Sequence, residues 1–140
     1  MAFHIPRKAQ ISMEYLVIVA FVFVITIPLM LIYYSYANTT SDEINMNQLL
    51  QITRKIADTA DSVYYLGKPS ETTIKVYIPD NVEAVNFTRN SVAFTIRTVS
   101  GLSDIVSSTN VNVSGTVPIS RGIHYINIRA MDNYVNISGY

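Results

Sequence analysis

Hydrophobic positions follow three successive patterns along the chain. Residues 15–37 carry no charged side chain and are almost wholly apolar. Residues 41–66 have apolar positions at helical spacing, with polar side chains on the opposite face. From residue 72 onward, Val, Ile, Thr and Tyr recur at alternate positions, as in strands with one buried face. This order predicts an N-terminal helical region, with an apolar segment (residues 15–37) and an amphipathic segment (residues 41–66), followed by a β domain.

The apolar segment is long enough to cross a membrane. Its 23 residues, at about 1.5 Å per residue, cover a hydrocarbon layer of about 30 Å. Arg7 and Lys8 precede it, whereas Asp42 and Glu43 follow it. This charge bias predicts a cytoplasmic N-terminus and an external C-terminal domain.

The amphipathic segment is predicted to pack on the β domain through one apolar face. That face carries Leu49, Ile52, Ile56 and Val63, beside Met46, Leu50, Ala57, Ala60 and Tyr64. Gly67 and Pro69 are expected to end the helix. Thr40 followed by Glu43 resembles a capping box. The pattern therefore allows one continuous helix or a second helix that begins near Ser41.

Six strands are predicted in the remainder, as a mostly antiparallel meander. They are residues 72–78, 82–88, 91–99, 110–113, 123–130 and 134–137. Turn residues occupy 79–81, 89–90 and 132–133, and the Gly- and Ser-rich residues 100–109 are predicted to form a loop. One sheet face is expected to cover the helix, through Ile74, Val76, Ile78, Val85, Phe87, Val92, Phe94 and Ile96. The predicted fold class is α+β.

Composition narrows the class of protein. The chain has 140 residues, 49% of them hydrophobic and 14% charged, which fits one domain with a membrane segment. Its 10 Lys and Arg balance 10 Asp and Glu, which disfavours a nucleic-acid partner. The sequence has no cysteine, so cysteine nucleophiles and cysteine-ligated metals are excluded.

Candidate chemistry is sparse. Beyond His4, the sequence has only His124 as an imidazole, and it lacks hydrolase, zinc-protease and phosphate-loop motifs. We therefore predict no catalytic site, no metal and no cofactor. Four Asn-Xaa-Ser/Thr sequons begin at Asn38, Asn86, Asn112 and Asn136. The last three lie between apolar neighbours, which predicts asparagines that point to solvent and can carry N-linked glycans.

The residues before the apolar segment carry a family resemblance. Residues 8–16, Lys-Ala-Gln-Ile-Ser-Met-Glu-Tyr-Leu, followed by the long apolar run, resemble the class III signal peptide of archaeal type IV pilin precursors. The resemblance implies cleavage by a prepilin peptidase between Ala9 and Gln10, and a processing motif of Lys8, Gln10, Ser12 and Glu14. Ala9 stands where family members usually have Gly.

The same resemblance implies an organisation and a role. Residues 1–9 form a leader, 10–37 a membrane and filament-core helix, 38–70 an amphipathic helix and 71–140 an extracellular β domain, in a type IV pilin-like fold. Before assembly the precursor is a single-pass protein of the cytoplasmic membrane. The mature chain is expected in an adhesive extracellular filament, with other copies of itself, an assembly ATPase and a membrane platform protein as partners.

Glu14 has a role that follows from its charge. A lone carboxylate beside an apolar run needs a partner once the helices pack away from water. Cleavage creates an α-ammonium on Gln10, and Glu14 of an adjoining subunit could pair with it. The pair would favour the correct axial register. In a single subunit, Glu14 instead offsets the helix dipole at the membrane interface.

Two other processing routes remain open at this stage. Ser35-Tyr36-Ala37 places small residues where a signal peptidase cuts, which would release residues 38–140 as a soluble β domain. Alternatively, the chain is an accessory pilin-like protein that shares all these features, or a single-pass membrane adhesin that retains its first residues.

Overall fold

The fold combines one long helix with seven strands. In this computed structural model, the backbone of residues 7–140 and the side chains of residues 12–140 are described. Helix α1 runs from Arg7–Leu66, and the strands are β1 (Glu71–Ile78), β2 (Val82–Thr88), β3 (Ser91–Thr98), β4 (Gly101–Ser108), β5 (Val113–Thr116), β6 (Gly122–Ala130) and β7 (Val135–Gly139). This confirms the predicted α+β class. The chain divides into two compact units, Met1–Thr40 and Ser41–Tyr140.

Helix α1 has no break at the predicted capping box. The hydroxyl of Thr39 donates to the carbonyl oxygen of Ser35 at 3.1 Å, and that of Thr40 donates to Tyr36 at 3.0 Å. A threonine inside a helix commonly bonds to the carbonyl four residues earlier. Thr40 therefore does not cap a second helix, and of the two sequence alternatives the structure has the continuous helix.

The amphipathic segment buries its apolar face as predicted. Leu49, Ile52, Ile56 and Val63 are all buried. The face also contains one buried polar side chain, Thr53, whose hydroxyl donates to the carbonyl oxygen of Leu49 at 2.7 Å. This bond satisfies the hydroxyl, so its burial leaves no polar atom without a partner.

Gly67 ends the helix, as the sequence indicates. Its φ angle is 75°, a left-handed value that glycine adopts without a Cβ clash. Its N–H donates to the carbonyl oxygen of Tyr64 at 3.0 Å. This is the usual way in which a helix satisfies one of its last carbonyls.

The strands form two sheets, not the single meander expected. One sheet has the order β1-β6-β7-β5 and the other the order β2-β3-β4. Pairing is antiparallel throughout except between β5 and β7, which are parallel. Alternation of apolar and polar residues specifies which face is buried but not which strand lies alongside. The neighbour of β1 could therefore not be identified from its pattern.

The predicted loop over residues 100–109 is wrong. Residues Gly101–Ser108 form β4, which pairs along its whole length with β3. Ile105 is buried, whereas Leu102, Asp104 and Val106 point to solvent. Pairing with a well-formed strand overrides the low strand propensity of Gly and Ser. The predicted strand at 110–113 is also displaced, because β5 covers Val113–Thr116.

A single hydrophobic core joins the amphipathic segment to both sheets. Six of the eight residues predicted to cover the helix are buried: Ile74, Val76, Ile78, Val92, Phe94 and Ile96. Val85 and Phe87 are only partly buried. Both lie on β2, which is at the edge of its sheet, so neighbouring side chains enclose them from one side only.

Candidate assembly site

The apolar segment is a helix whose side chains are almost all exposed. Within residues 15–37 only Val19 is half-buried, and every other residue is exposed. The large hydrophobic side chains include Phe21, 65% exposed, and Met30, 73% exposed. Apolar residues lie on every side of the segment, whereas a helix on a protein surface has one apolar face. The segment therefore needs an apolar environment, which lipid or other helices can provide.

The length of this stretch also meets the requirement for a membrane span. Within residues 12–66, α1 contains an 18-residue window that is apolar enough to cross a bilayer, and none of that window is buried. A buried core helix of a soluble protein would have its apolar residues covered. The helix could therefore span a membrane once.

Glu14 is the only charged residue between residues 12 and 41. It is exposed, and together with Met13, Val17 and Ile18 it lines a shallow depression on one side of the helix. No ion pair or hydrogen bond reaches its carboxylate from residues 12–140. The site thus combines an available negative charge with an apolar rim, which suits a cation brought in by an apolar partner.

The predicted cleavage site lies mostly outside the described side chains. Residues 1–6 of the predicted leader are outside the described residues, and for Lys8, Ala9 and Gln10 only the backbone is described, as part of α1. Ser12 is exposed, as is Glu14. Cleavage before Gln10 and pairing of Gln10 with Glu14 therefore stay predictions.

Two of the four sequons place the asparagine on an exposed surface. Asn86 lies on β2 and is exposed between the partly buried Val85 and Phe87. Asn112 is exposed between the buried Val111 and Val113, and its Nδ2 donates to the carbonyl oxygen of Asn133 at 3.4 Å. Asn86 has no such bond within residues 12–140, and its amide is therefore the freer acceptor for a glycan.

The other two sequons are less open. Asn136 on β7 is half-buried and lies between Arg129 of β6 and Ser114 of β5 in the sheet register. Asn38 lies within α1 and is also half-buried. Both asparagines are therefore less exposed than Asn86 and Asn112.

Two helix carboxylates with a clear role were not identified from the sequence. Asp42 accepts a hydrogen bond from the backbone N–H of Val99 at 2.7 Å. Asp61 accepts from the backbone N–H of Asn110 at 3.0 Å and from its side-chain amide at 2.8 Å. These contacts connect the residues just before and just after β4 to the amphipathic segment. The sequence shows both residues only as part of a polar helix face, so no local signal distinguished them.

The remaining polar side chains form surface contacts. The imidazole Nε2 of His124 lies 2.8 Å from the carbonyl oxygen of Ser120, to which it donates. Arg121 donates to the hydroxyl oxygen of Tyr77 at 3.1 Å and to Asp80 at 2.7 Å. The hydrogen bond to Tyr77, followed by the charge of Asp80, raises the pKa of the Arg121 guanidinium. Within residues 12–140 there is no group of three His, Cys, Asp or Glu side chains that could hold a metal ion.

Comparison with protein-family models, with curated proteins and with solved structures finds no match to this chain. A long N-terminal helix, apolar in its first part and packed in its second part on mostly antiparallel sheets, resembles a pilin-like architecture.

Proposed function

We propose that this protein is a structural subunit of an archaeal type IV pilus-like surface filament. In this proposal the precursor is inserted in the cytoplasmic membrane, cut by a prepilin peptidase before Gln10, and assembled through its N-terminal helix. The observation that carries the proposal is the exposed apolar segment, which follows a carboxylate, Glu14, that has no ion-pair partner within residues 12–140. Such a helix is costly in water and is stable in lipid or among other helices.

The membrane serves as a reservoir of subunits. Moving the helix from lipid into a filament exchanges one apolar environment for another, so little hydrophobic free energy is gained. The transfer therefore needs an external source of energy. The family resemblance implies that this source is an assembly ATPase, which acts with a membrane platform protein.

Glu14 supplies register in this scheme. Leader removal frees an ammonium group on Gln10, and the carboxylate of Glu14 in a neighbouring subunit forms an ion pair with it. A misregistered neighbour would leave two uncompensated charges among apolar side chains, which costs several kcal/mol. The pair therefore selects one axial position more than it adds stability.

The β domain would form the outer surface of the filament. Asn86, the most accessible of the sequons on the sheets, would carry a glycan where the cell has the enzymes. The exposed sheet faces would then provide the adhesive surface.

The experiment that tests this function replaces Glu14 with Gln in cells that express the full precursor. Because Glu14 is also part of the implied processing motif, mass spectrometry of the membrane-bound protein first establishes that the leader has been removed. In the cleaved protein, we expect surface filaments to be reduced at least tenfold by electron microscopy. Glu43→Gln is the matched control, because Glu43 is an exposed acid of the amphipathic segment. Filaments at the wild-type level in Glu14→Gln would contradict the role of Glu14. Absence of any filament from the wild-type chain, in cells with the assembly machinery, would contradict the function.

A further inference from the structure

Strands β1 and β4 are edge strands whose outer backbone groups have no backbone partner among residues 7–140. Ala130 donates its N–H to the carbonyl of Ser70 at 2.9 Å, one position before the ladder between β1 and β6. Hydrogen-bonded pairs alternate along an antiparallel ladder. The N–H and C=O groups of Thr73, Lys75 and Tyr77 therefore point away from β6. Within the described part of the chain no backbone group bonds to them from that side.

The free edge of β4 follows from the same alternation. Thr109 donates its N–H to the carbonyl of Asn90 at 2.8 Å, which continues the ladder between β3 and β4. The N–H and C=O groups of Leu102, Asp104 and Val106 therefore point away from β3. As for β1, these three positions have exposed side chains.

The two edges match each other in face. On each strand, the residues whose backbone points to the free edge also carry the exposed side chains. In an antiparallel hydrogen-bonded pair, opposed side chains lie on the same face. Adding β4 of one molecule to β1 of another would therefore align exposed face with exposed face and buried face with buried face.

One register also matches the side chains. With Lys75 opposite Asp104, Tyr77 is opposite Leu102 and Thr73 is opposite Val106. A shift of two residues in either direction places Lys75 against an aliphatic side chain and loses the ion pair. Neither Lys75 nor Asp104 has an ion-pair partner within residues 12–140, although Asp104 accepts from the Thr95 hydroxyl at 2.7 Å. Both charges are therefore available.

The surface beside β1 adds to this charge complementarity. A groove runs along the strand, and it is lined on the helix side by Gln48, Gln51 and Lys55 and on the strand side by Lys75 and Tyr77. Lys55, like Lys75, has no carboxylate partner in the described residues. A strand that carries a carboxylate and pairs with β1 would therefore lie beside two cations, Lys55 and Lys75, and two side-chain amides, Gln48 and Gln51.

We propose that β4 of one copy of this protein adds as an antiparallel strand to β1 of a second copy, with Asp104 opposite Lys75. Because the two edges differ, the contact is head-to-tail, and each copy leaves one free edge for the next copy. Pairing of two β4 strands about Asp104, or of two β1 strands about Lys75, places like charges together. A shifted pairing of two β1 strands can oppose Glu71 and Lys75, but Glu71 is already paired with Arg129. The contact goes beyond the helix-mediated assembly proposed above and is independent of leader cleavage.

Cysteine cross-linking tests the contact, because the chain has no cysteine of its own. Opposed residues in a hydrogen-bonded antiparallel pair have Cα atoms about 5.5 Å apart, which a disulfide can bridge. The full-length Thr73→Cys/Val106→Cys double variant, oxidised in native membranes, should give a ladder of dimers, trimers and longer species. A mixture of the two single variants should stop at the dimer.

The controls separate this pairing from other arrangements. Thr73→Cys/Leu102→Cys, which is out of register, should cross-link at least fivefold less. Dimers from Thr73→Cys alone would overturn the proposal in favour of paired β1 strands. An absence of the ladder in double variants that remain folded by circular dichroism would also overturn it.

Charge exchange provides a second readout in the same double-cysteine background. Lys75→Asp and Asp104→Lys should each reduce the ladder severalfold, and the two together should restore it. No recovery in the combined variant would contradict the register. Filaments without this ladder would refute the strand contact and leave the proposed function standing. A ladder without filaments would support the strand contact and contradict the proposed function.

Discussion

The two segments of α1 have similar helical backbones but opposite surroundings. In the amphipathic segment Ile56 is 0% exposed, whereas Ile25 in the apolar segment is 46% exposed. Where the sheets do not cover it, the amphipathic segment is mostly polar, with Ile44, Tyr65 and Leu66 as exposed exceptions near its ends. The apolar segment has apolar residues on all sides. The comparison shows that burial by the chain's own β domain accounts for the apolar residues of one segment only. The apolar residues of the other segment require a surrounding that the single chain does not supply.

The largest difference between the segments should appear on truncating an isoleucine. Ile56→Ala removes a side chain from the packed core and should lower the free energy of unfolding of the β domain by about 2–5 kcal/mol. Ile25→Ala, the matched variant in the apolar segment, should change it by less than about 0.5 kcal/mol. Chemical denaturation in mild detergent, followed by near-ultraviolet circular dichroism, measures both. Equal effects of the two variants would remove the distinction between the segments.

A smaller difference is expected from enlarging an alanine. Ala60 is 0% exposed, so Ala60→Leu overpacks the core and should cost about 1–3 kcal/mol. Ala20 is exposed in the apolar segment, and Ala20→Leu should leave the unfolding of the β domain unchanged. The same denaturation measurement applies. Tolerance of Leu at position 60 would show that the helix is less closely packed on the sheets than the structure indicates.

Polar contacts should contribute less than packing does to the free energy of unfolding of the β domain. Asp61→Ala removes the acceptor for the backbone and side-chain amides of Asn110 and should destabilise the β domain by about 1 kcal/mol. Hydrogen exchange should also increase near Asn110, at the end of β4. Asp58→Ala is the control, since Asp58 is exposed one turn earlier on the same segment. If the two variants lower the free energy of unfolding equally, the hydrogen bonds between Asp61 and Asn110 do not stabilise the β domain.

The smallest effect is expected where the two segments join. Removal of a true helix cap costs about 0.5–2 kcal/mol. The Thr40 hydroxyl bonds back to Tyr36 within the helix, so Thr40→Ala should change stability by less than about 0.5 kcal/mol. Helix content by far-ultraviolet circular dichroism should stay the same. A marked loss of helix in this variant would restore the capping-box interpretation and a second helix near Ser41.

The sequence predicted what depends on local periodicity. The apolar stripe through Leu49 and Ile56 is distinct because a helix repeats its faces every three to four residues. Strands β1 and β2 were located closely for the corresponding reason, since apolar residues recur at alternate positions, as Ile74, Val76 and Ile78 do in β1 and Val85 and Phe87 do in β2. Gly67 was identified as the helix end because few other residues adopt its left-handed backbone.

What could not be predicted depends on contacts distant in sequence. Strand β4 contains Gly and Ser, and its pairing with β3 decides its conformation more than its own propensity does. The parallel position of β5 beside β7 relies on Gly115, where an added Cβ would lie 1.8 Å from the carbonyl oxygen of Ile137. In the candidate site, Glu14 could be singled out because it is the one charge beside an apolar run. Asp42 and Asp61 resemble any other acid on a polar helix face, so their bonds to the ends of β4 were not foreseeable.

The proposed filament role requires that the mature protein retains the apolar segment. N-terminal peptide mass spectrometry of protein sheared from the cell surface tests this most directly. We predict a mature N-terminus at Gln10, with residues 15–37 present in the same chain. A surface form that begins at Asn38, or one that still carries the basic leader, would contradict the account.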